Sequence, residues 1–328
     1  MSTEVTNFED IQDAARALDG MAVKTPLLRN RFLDEYTGRS VFLKPEQLQV
    51  SGSFKFRGAY NRISRLTNDE RSAGVIAWSS GNHAQGVAAA AALNGVRARI
   101  VMPEDAPVIK LENTRALGAE IITYDRYSES REEIAYALAE KEGGVIVPSF
   151  DDRYIIAGQG TAGLEIFQQA EGFGEKLDAM LVCCGGGGLT AGCALAGEAL
   201  SSETDFFAIE PEGYDDHLRS LESGVRQKAD TSQRSICDAL LSPEPGELTF
   251  QINQRLLKGV LVVTEDEVRD AMRYAFRVLK LVVEPGGAVA LAALLSGKLP
   301  ETYQRVGIMM SGGNVDPGLF AEIIAAEQ

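Results

Sequence analysis

A single lysine, Lys55, stands between two phenylalanines in the stretch "SGSFKFRG", residues 51 to 58. Apolar residues continue at helical spacing after it, which predicts a helix with Lys55 in its first turn and Ser51 or Ser53 as its cap. There the helix dipole disfavours a protonated amine, and the flanking rings reduce its hydration. Both effects predict a pKa below the ordinary value of about 10.4. Such an amine can act as a nucleophile. Taken alone, the lysine is better explained as an exposed surface cation, and only its combination with other loops favours the reactive amine.

A run of four glycines forms the second chemical feature, in "CCGGGGLTAG". It follows an apolar run and precedes a helical pattern of small residues, and it consists of Gly185, Gly186, Gly187 and Gly188. Without side chains, backbone N–H groups converge at a helix N-terminus that favours anions. The run lacks the Gly-Lys-Ser/Thr ending of a nucleoside-triphosphate loop and the GxGxxG spacing of a dinucleotide site. We predict a cradle for a small phosphate, with a tight turn that binds nothing as the alternative.

Short apolar runs alternate along the sequence with segments of helical periodicity, and these elements must position the two loops. The alternation predicts an α/β fold with open, mostly parallel sheets and helices on both faces. Nine strands are predicted, in "SVFLKPE", "GVIAWSS", "ARIVMPE", "AEIITYD", "GVIVPSF", "AMLVCCGG", "FFAIEPE", "GVLVVTE" and "VGIMMSGG". Thr264 and Glu267 form a predicted capping box at the start of one amphipathic helix. The length of 328 residues predicts two lobes, and they must interweave because no linker separates them.

Composition excludes several classes of partner and site. The formal net charge of −15 disfavours nucleic acid and anionic membranes as partners. The four cysteines show no CxxC spacing, so neither a disulfide framework nor a zinc site is predicted. The acidic N-terminus has no apolar core and no run could span a bilayer, which predicts a cytoplasmic protein without a signal peptide.

Seven segments together resemble the fold type II (tryptophan synthase β-like) pyridoxal-phosphate enzymes, most of all threonine/serine dehydratases and serine racemase. They are "SGSFKFRGAYN", "SSGNHAQGVA", "AGQGTAGLEI", "CCGGGGLTAG", "EPEG", "VEPGGAVALAA" and "SGGNVD". The resemblance implies pyridoxal 5′-phosphate (PLP) as cofactor and a homodimer or homotetramer. It implies a large PLP-binding domain, residues 1–50 and 150–328, and a small substrate-closing domain, residues 51–149. The regulatory C-terminal domain of biosynthetic threonine deaminases is not expected.

By this resemblance, Lys55 is the Schiff-base lysine and the base that takes the Cα proton. Phe54 packs beside the pyridine ring, Asn82 binds the 3′-oxygen, residues 185–188 hold the phosphate and Ser311 faces the ring nitrogen. A neutral serine there makes the ring a weaker electron sink than a carboxylate would, which favours elimination of a β-hydroxyl group.

The loop after "GVIAW" resembles the one that receives the substrate carboxylate, and its predicted substrate-binding residues are Ser79, Ser80, Gly81 and His83. Ser80 also resembles the racemase serine that returns a proton on the face opposite the lysine; the alternative is a local hydrogen-bonding role. Arg131 resembles a racemase arginine near the distal end of the substrate and could receive a second carboxylate. Its alternative is an ion pair with a neighbouring glutamate.

The segment "EPEGYDD" resembles a divalent-cation site of serine racemase and some dehydratases. Its ligands would be Glu210, the carbonyl of Tyr214 and Asp216, an oxygen set that suits Mg²⁺ or Ca²⁺. The alternative is an acidic surface turn.

The resulting hypothesis is a PLP-dependent ammonia-lyase that converts a β-hydroxy L-amino acid to a 2-oxo acid and ammonia. Threonine and serine are the default substrates, and 3-hydroxyaspartate is a further candidate. The first alternative is a serine or aspartate-type racemase with dehydratase side activity; a β-replacing sulfhydrylase and a non-catalytic or nucleotide-binding Rossmann-like protein are more distant. The side-chain specificity is predicted to depend on Trp78, Arg131, Ser149 and Ala239.

Overall fold

In a computed structural model, residues 5–106, 108–232 and 234–326 are described, and they contain two open sheets. The ten strands in this part of the chain are β1 (Leu28–Arg29), β2 (Ser40–Pro45), β3 (Val75–Trp78), β4 (Ala98–Pro103), β5 (Glu120–Tyr124), β6 (Val145–Ile146), β7 (Ala179–Cys183), β8 (Asp205–Pro211), β9 (Leu257–Val263) and β10 (Arg305–Met310). One sheet has the order β1-β2-β10-β7-β8-β9, and the other has the order β5-β4-β3-β6.

The helices connect successive strands and cover both sheets. Those within the described ranges are α1 (Phe8–Leu18), α2 (Arg31–Thr37), α3 (Lys55–Ser64), α4 (Asn68–Ala73), α5 (Asn82–Leu93), α6 (Val108–Ala116), α7 (Arg131–Glu142), α8 (Arg153–Gly172), α9 (Gly188–Leu200), α10 (Asp216–Ser223), α11 (Glu247–Leu256), α12 (Glu265–Tyr274), α13 (Pro285–Leu295) and α14 (Pro317–Ala325). Short 3-10 turns occupy Glu46–Leu48, Val50–Gly52 and Asp238–Leu240, and a π turn extends α12 over Ala275–Leu279. No helix in these ranges combines the length and the apolar character needed to cross a membrane.

The predicted fold class is confirmed. All nine predicted strands form, and every recorded pairing is parallel except that of β1 with β2. Central strands such as β7 are buried along their whole length, which explains why they read as continuous apolar runs. Strand β1 was not predicted, because a strand of two residues shows no alternating pattern.

The two helix starts predicted in detail have different outcomes. The capping box of α12 is confirmed: the Thr264 side chain accepts a hydrogen bond from the Glu267 N–H, and the Glu267 carboxylate accepts one from the Thr264 N–H. The predicted serine cap of α3 is wrong. Ser51 has a left-handed backbone (φ 62°), and Ser53 forms a β-bridge with Gly312, so Phe54 occupies the cap position without a side-chain cap. A tertiary contact therefore replaces the local cap.

The four-stranded sheet lies entirely within the range 51–149 that was assigned to a small domain. Strands of the six-stranded sheet come from residues before and after this range, so the chain passes between the sheets as an interwoven fold requires. The exact domain boundaries stay a prediction.

A buried charge cluster connects α3 to the six-stranded sheet. The fully buried guanidinium of Arg57 donates to both oxygens of Glu46 (2.7 and 2.8 Å) and also to Glu165 of α8. Lys44 of β2 donates to the same Glu165 carboxylate at 2.6 Å. Burial opposes the charge of Arg57, but the two carboxylates outweigh it and raise the pKa of Arg57. The cluster anchors α3 at Arg57, which follows Lys55 by two residues.

We expect Arg57→Met to lower the free energy of unfolding by roughly 3–5 kcal/mol, because it leaves buried carboxylates without their partner. Urea unfolding followed by circular dichroism measures this change. Arg31→Met is the control, since it breaks an exposed pair with Glu35 and should have almost no effect. Equal, small losses in both variants would contradict the assigned role of the cluster.

Candidate active site

One cavity of about 570 Å³ opens at the carboxyl ends of β3, β7 and β10, where ligands bind in open α/β sheets. The structure brings all the residues predicted for cofactor and substrate into its wall: Phe54, Lys55, Ser79, Ser80, Gly81, Asn82, His83, Arg131, Gly185, Gly186, Gly187, Gly188 and Ser311. The four residues predicted to determine specificity, Trp78, Arg131, Ser149 and Ala239, also line it. Loops far apart in sequence therefore share one site.

Lys55 begins α3 and directs its amine into this cavity. Its Nζ donates to the carbonyl oxygen of Ser149 at 2.8 Å and lies 5.2 Å from the ring centroid of Phe54. Burial lowers the pKa of Lys55 to about 8, although the nearby Cys183 and Glu284 partly oppose the shift. The predicted direction is confirmed, and burial is the main cause. Only one of the two phenylalanines faces the amine, because Phe56 packs against Tyr60.

The glycine loop forms the turn between β7 and α9. Among the described residues, none accepts a hydrogen bond from the N–H groups of residues 185–187, whereas the Gly186 carbonyl accepts from Thr249. A Cβ on Gly186 would lie 2.4 Å from the Phe150 ring, and Gly187 has a φ of 91°, so both positions require glycine. The loop thus presents free N–H groups at a helix N-terminus, as an anion cradle requires.

An amide network crosses the cavity floor at the start of α5. The Asn82 Nδ2 donates to Glu284 Oε1 at 2.6 Å, while Asn82 Oδ1 accepts from Asn314 Nδ2 at 2.8 Å. Asn314 also donates to the Ser51 carbonyl at 2.8 Å. Burial, and secondarily the charge of Asp238, raises the pKa of Glu284 to about 7. These contacts fix the Asn82 amide with its N–H₂ group toward Glu284.

Glu284 and Asn314 were not predicted as site residues, although both occur in the segments "VEPGGAVALAA" and "SGGNVD" that carry the family resemblance. An acidic residue directly before Pro285 is typical of any helix start, and α13 does begin there. Asn314 follows a Gly-Gly pair, where asparagine is common in turns. Only the tertiary structure shows that both side chains meet Asn82.

Ser311 follows β10 and is nearly fully buried in the cavity wall. Its side chain interacts with the thiol of Cys183, and burial raises the pKa of Cys183 to about 12. Both groups are therefore neutral at physiological pH, and the wall near Ser311 offers hydrogen bonds without charge. No sequence signal pointed to Cys183.

The predicted substrate loop lies between β3 and α5. Ser79 Oγ accepts from the Gly81 N–H at 3.1 Å, which closes the loop. His83 Nε2 donates to the Val147 carbonyl at 2.8 Å, and burial followed by the charge of Lys55 lowers the pKa of His83 to about 3. The hydroxyl of Ser80 makes no hydrogen bond to any residue within 5–106, 108–232 and 234–326, so it remains available to a ligand.

Three cations stand at the cavity wall, each beside an acid. Arg131 Nε lies 2.9 Å from Glu132, and its side chain is 41 % exposed, so the ion pair given as the alternative forms within reach of the cavity. Lys110 pairs with Asp238, and Arg226 pairs with Glu247 at 2.9 Å. Lys110 and Arg226 were not predicted, because neither residue belongs to a recognisable motif.

The predicted metal ligands lie outside the cavity, in the turn between β8 and α10. Glu210 and Asp216 are buried, so the alternative of a surface turn is wrong. The Glu210 carboxylate accepts from the N–H groups of His217 (2.9 Å) and Leu218 (3.0 Å). Asp216 Oδ2 has no hydrogen-bond partner in the described part of the chain, which fits a ligand position. Whether a cation binds stays a prediction.

Comparison with known proteins agrees with this geometry. A family model described as "Pyridoxal-phosphate dependent enzyme" matches residues 19–312. The chain is 43 % identical to an L-threo-3-hydroxyaspartate ammonia-lyase of Pseudomonas sp (98 % of this chain, 99 % of the relative). It is 40 % identical to the enzyme of that name in Saccharomyces cerevisiae (99 % and 98 %). The structure of maize serine racemase superposes with a TM-score of 0.92 at 36 % identity, covering 97 % of both chains.

The lowered pKa of Lys55 generates a pH prediction for the protein freed of any cofactor. Attachment of pyridoxal phosphate at Lys55, trapped by borohydride and located by peptide mass, should accelerate with pH around a midpoint near 8, because only the neutral amine reacts. Lys55→Ala, which removes the amine, is the control and should give no labelled peptide at this position. A labelling rate that keeps rising well above pH 8 without a plateau would contradict the buried, activated amine.

Proposed function

The chain belongs to the family of pyridoxal-phosphate-dependent enzymes of fold type II, and we propose that it is an ammonia-lyase acting on a β-hydroxy L-amino acid. One observation carries this proposal: the buried amine of Lys55 and the glycine cradle open into the same cavity. A non-catalytic or nucleotide-binding Rossmann-like protein would not require a buried reactive amine beside a glycine cradle.

The residues present fit pyridoxal phosphate. The unengaged N–H groups of residues 185–187 suit its phosphate, and the fixed N–H₂ group of Asn82 suits an oxygen on its ring. Ser311 would hold the ring nitrogen with a neutral hydroxyl, and Phe54 would lie beside the ring. Lys55 would carry the covalent link.

When bound, the cofactor supplies an electron sink for the negative charge that develops at the substrate Cα. The free Lys55 amine takes the Cα proton at Nζ, since a pKa near 8 leaves part of the amine neutral at physiological pH. Loss of that proton and of the β-hydroxide gives an enamine, which one water molecule hydrolyses to a 2-oxo acid and ammonia. The Ser80 N–H would hold the substrate carboxylate, because the Ser79 and Gly81 N–H groups already donate to the Val101 carbonyl and to Ser79 Oγ.

We infer that 3-hydroxyaspartate is the preferred substrate. Two relatives at 40–43 % identity carry this substrate in their names. The cavity also holds Lys110 and Arg131, each already beside an acid, and a second substrate carboxylate could replace those partners. Threonine and serine would leave both cations paired with protein acids.

Racemisation is the second candidate activity, and Ser80 is the observation that favours it. Its hydroxyl lines the cavity without a hydrogen-bond partner among the described residues, and several relatives of similar length are named serine racemase. A hydroxyl that returns a proton to Cα on the face opposite the lysine would invert the centre. The predicted assembly as homodimer or homotetramer and an oxygen-ligated Mg²⁺ or Ca²⁺ stay proposals that rest on the family resemblance. The cytoplasmic location stays a proposal that rests on the composition of the sequence.

Release of 2-oxo acid and ammonia from serine, threonine and the stereoisomers of 3-hydroxyaspartate tests the proposed function. We expect the highest kcat/KM with a 3-hydroxyaspartate. Lys110→Met and Arg131→Met should each lower that value roughly tenfold to hundredfold, since a charge-assisted hydrogen bond contributes about 1.5–3 kcal/mol, while serine turnover changes little. Arg126→Met, which removes a cation paired with Asp105 outside the cavity wall, is the control. Absence of keto-acid release from every substrate would refute the ammonia-lyase.

Ser80→Ala should abolish inversion at Cα and leave ammonia release within a few-fold of the wild type. Chiral chromatography and solvent-deuterium incorporation at Cα separate the two activities. Ser72→Ala, in the exposed part of α4, serves as the control. If Ser80→Ala removes both activities together, the serine acts in elimination and the racemase assignment is wrong.

A further inference from the structure

The carbonyl oxygen of Ser149 is the acceptor that holds the reactive amine. Lys55 Nζ donates a hydrogen bond to it at 2.8 Å. A carbonyl oxygen stabilises an ammonium group more than a neutral amine, because hydrogen bonds from charged donors are the stronger ones. The contact therefore favours the protonated form of Lys55, which is the form that the amine has after it accepts a proton.

Ser149 lies in the turn that connects β6 to α8, and the start of this turn is fixed. The Val147 N–H donates to the Ile76 carbonyl at 2.9 Å, and the Val147 carbonyl accepts from His83 Nε2 at 2.8 Å. Pro148 follows, and its ring restricts the backbone φ angle. The direction of the Ser149 carbonyl then depends on the contacts at the other end of the turn.

Asp151 holds that other end. Its Oδ2 accepts from the Glu247 N–H at 3.0 Å, and its Oδ1 accepts from the N–H groups of Leu248 (2.9 Å) and Thr249 (3.2 Å). These are the first three residues of α11, so a side chain that precedes the helix by 96 residues caps it. Both carboxylate oxygens are engaged, and the helix dipole favours their negative charge.

Helix α11 is a firm anchor for this carboxylate because it contacts the glycine cradle. The Thr249 hydroxyl donates to the Gly186 carbonyl at 2.6 Å, and the Gly246 N–H donates to the same oxygen at 3.2 Å. Phe150, which directly precedes Asp151, packs on the same glycine, since a Cβ on Gly186 would lie 2.4 Å from its ring. The turn, the start of α11 and the cradle therefore pack as one unit.

We propose that Asp151 is a positioning residue, which holds the Ser149 carbonyl at the place where it receives the protonated Lys55 amine. This role rests on the proposed function, in which Lys55 takes the proton from the substrate Cα. The carboxylate acts through the backbone of the turn, because both of its oxygens are bound by α11. Without this anchor, the ammonium form of Lys55 would lose its acceptor.

The titratable groups that face Lys55 come from three other elements: His83 of α5, Cys183 of β7 and Glu284 at the start of α13. Burial lowers the pKa of His83 to about 3 and raises that of Cys183 to about 12, so both are neutral at physiological pH. Burial raises the pKa of Glu284 to about 7, so this carboxyl group titrates below the amine. None of the three makes a hydrogen bond to Asp151 within residues 5–106, 108–232 and 234–326, so a change of Asp151 leaves their contacts intact.

Trace acetylation by acetic anhydride, scaled to an internal standard amine, tests this role in the full chain freed of cofactor. Only the neutral amine reacts, so the pH dependence of Lys55 acetylation gives its midpoint, near 8 in the wild type. Asp151→Ala should lower the midpoint by about one pH unit, because the ammonium loses its acceptor while the wall stays buried. Asp151→Asn keeps Oδ1 as an acceptor and should give a smaller shift in the same direction.

The sign of the shift separates positioning from mere loosening of the turn. Water that enters a loosened turn would raise the midpoint toward the ordinary lysine value of about 10.4. A raised or unchanged midpoint in Asp151→Ala would therefore overturn the proposal. Asp316→Ala is the control, because it also removes a helix cap, that of α14, but lies outside the cavity wall, and it should keep the wild-type midpoint.

A second measurement decides on the wild type and does not depend on how well the Asp151 variants fold. Carbonyl-¹³C serine and ¹⁵N phenylalanine give carbon-detected NMR correlations only from the two Ser-Phe pairs, Ser53–Phe54 and Ser149–Phe150. We expect the Ser149 carbonyl signal to move with a midpoint near pH 8 and to lose this step in Lys55→Met. A Ser149 signal that stays constant through this pH range would refute the proposal. Because neither measurement follows turnover, failure of this role and failure of the ammonia-lyase proposal are distinguishable.

Discussion

The buried amine of Lys55 is the constraint on which the rest of the site depends. An ammonium group in a desolvated wall is unfavourable, and the surroundings do not compensate it with a tightly bound carboxylate. Its neighbours are the Ser149 carbonyl, a phenyl ring, a neutral histidine, a neutral thiol and Glu284, whose own pKa burial raises to about 7. The wall therefore lowers the pKa of the amine toward physiological pH, which a strong ion pair would prevent.

The strong ion pairs of α3 lie two residues after Lys55. Arg57 follows Lys55 by two residues and is bound by two buried carboxylates, while Lys55 has none. Helix α3 thus contains one cation, Arg57, that stays fully charged, and one, Lys55, whose pKa lies near physiological pH. This separation lets the fold anchor α3 firmly and still leave its first side chain reactive.

The sequence was most informative where backbone geometry and chemistry coincide. The parallel sheets, the glycine cradle and Lys55 could be predicted because apolar runs, consecutive glycines and a desolvated lysine each have a local physical meaning. Glu284, Asn314 and Lys110 could not, since each acts through a partner more than a hundred residues away. The cap of α3 failed for the same reason: Ser53 pairs with Gly312 and leaves the local position. Local sequence signals predict the secondary-structure element to which a residue belongs. The contact partners of its side chain depend on the tertiary fold.

The amide of Asn82 has a consequence for motion. Asn82 belongs to the helix after β3 of the four-stranded sheet, whereas its two partners, Glu284 and Asn314, follow strands β9 and β10 of the six-stranded one. Any rocking of one sheet against the other must stretch these two hydrogen bonds or carry the amide with it. The amide that we propose for the cofactor ring therefore also joins the two sheets, so that opening of the cleft would shift the same side chain that would contact the ring.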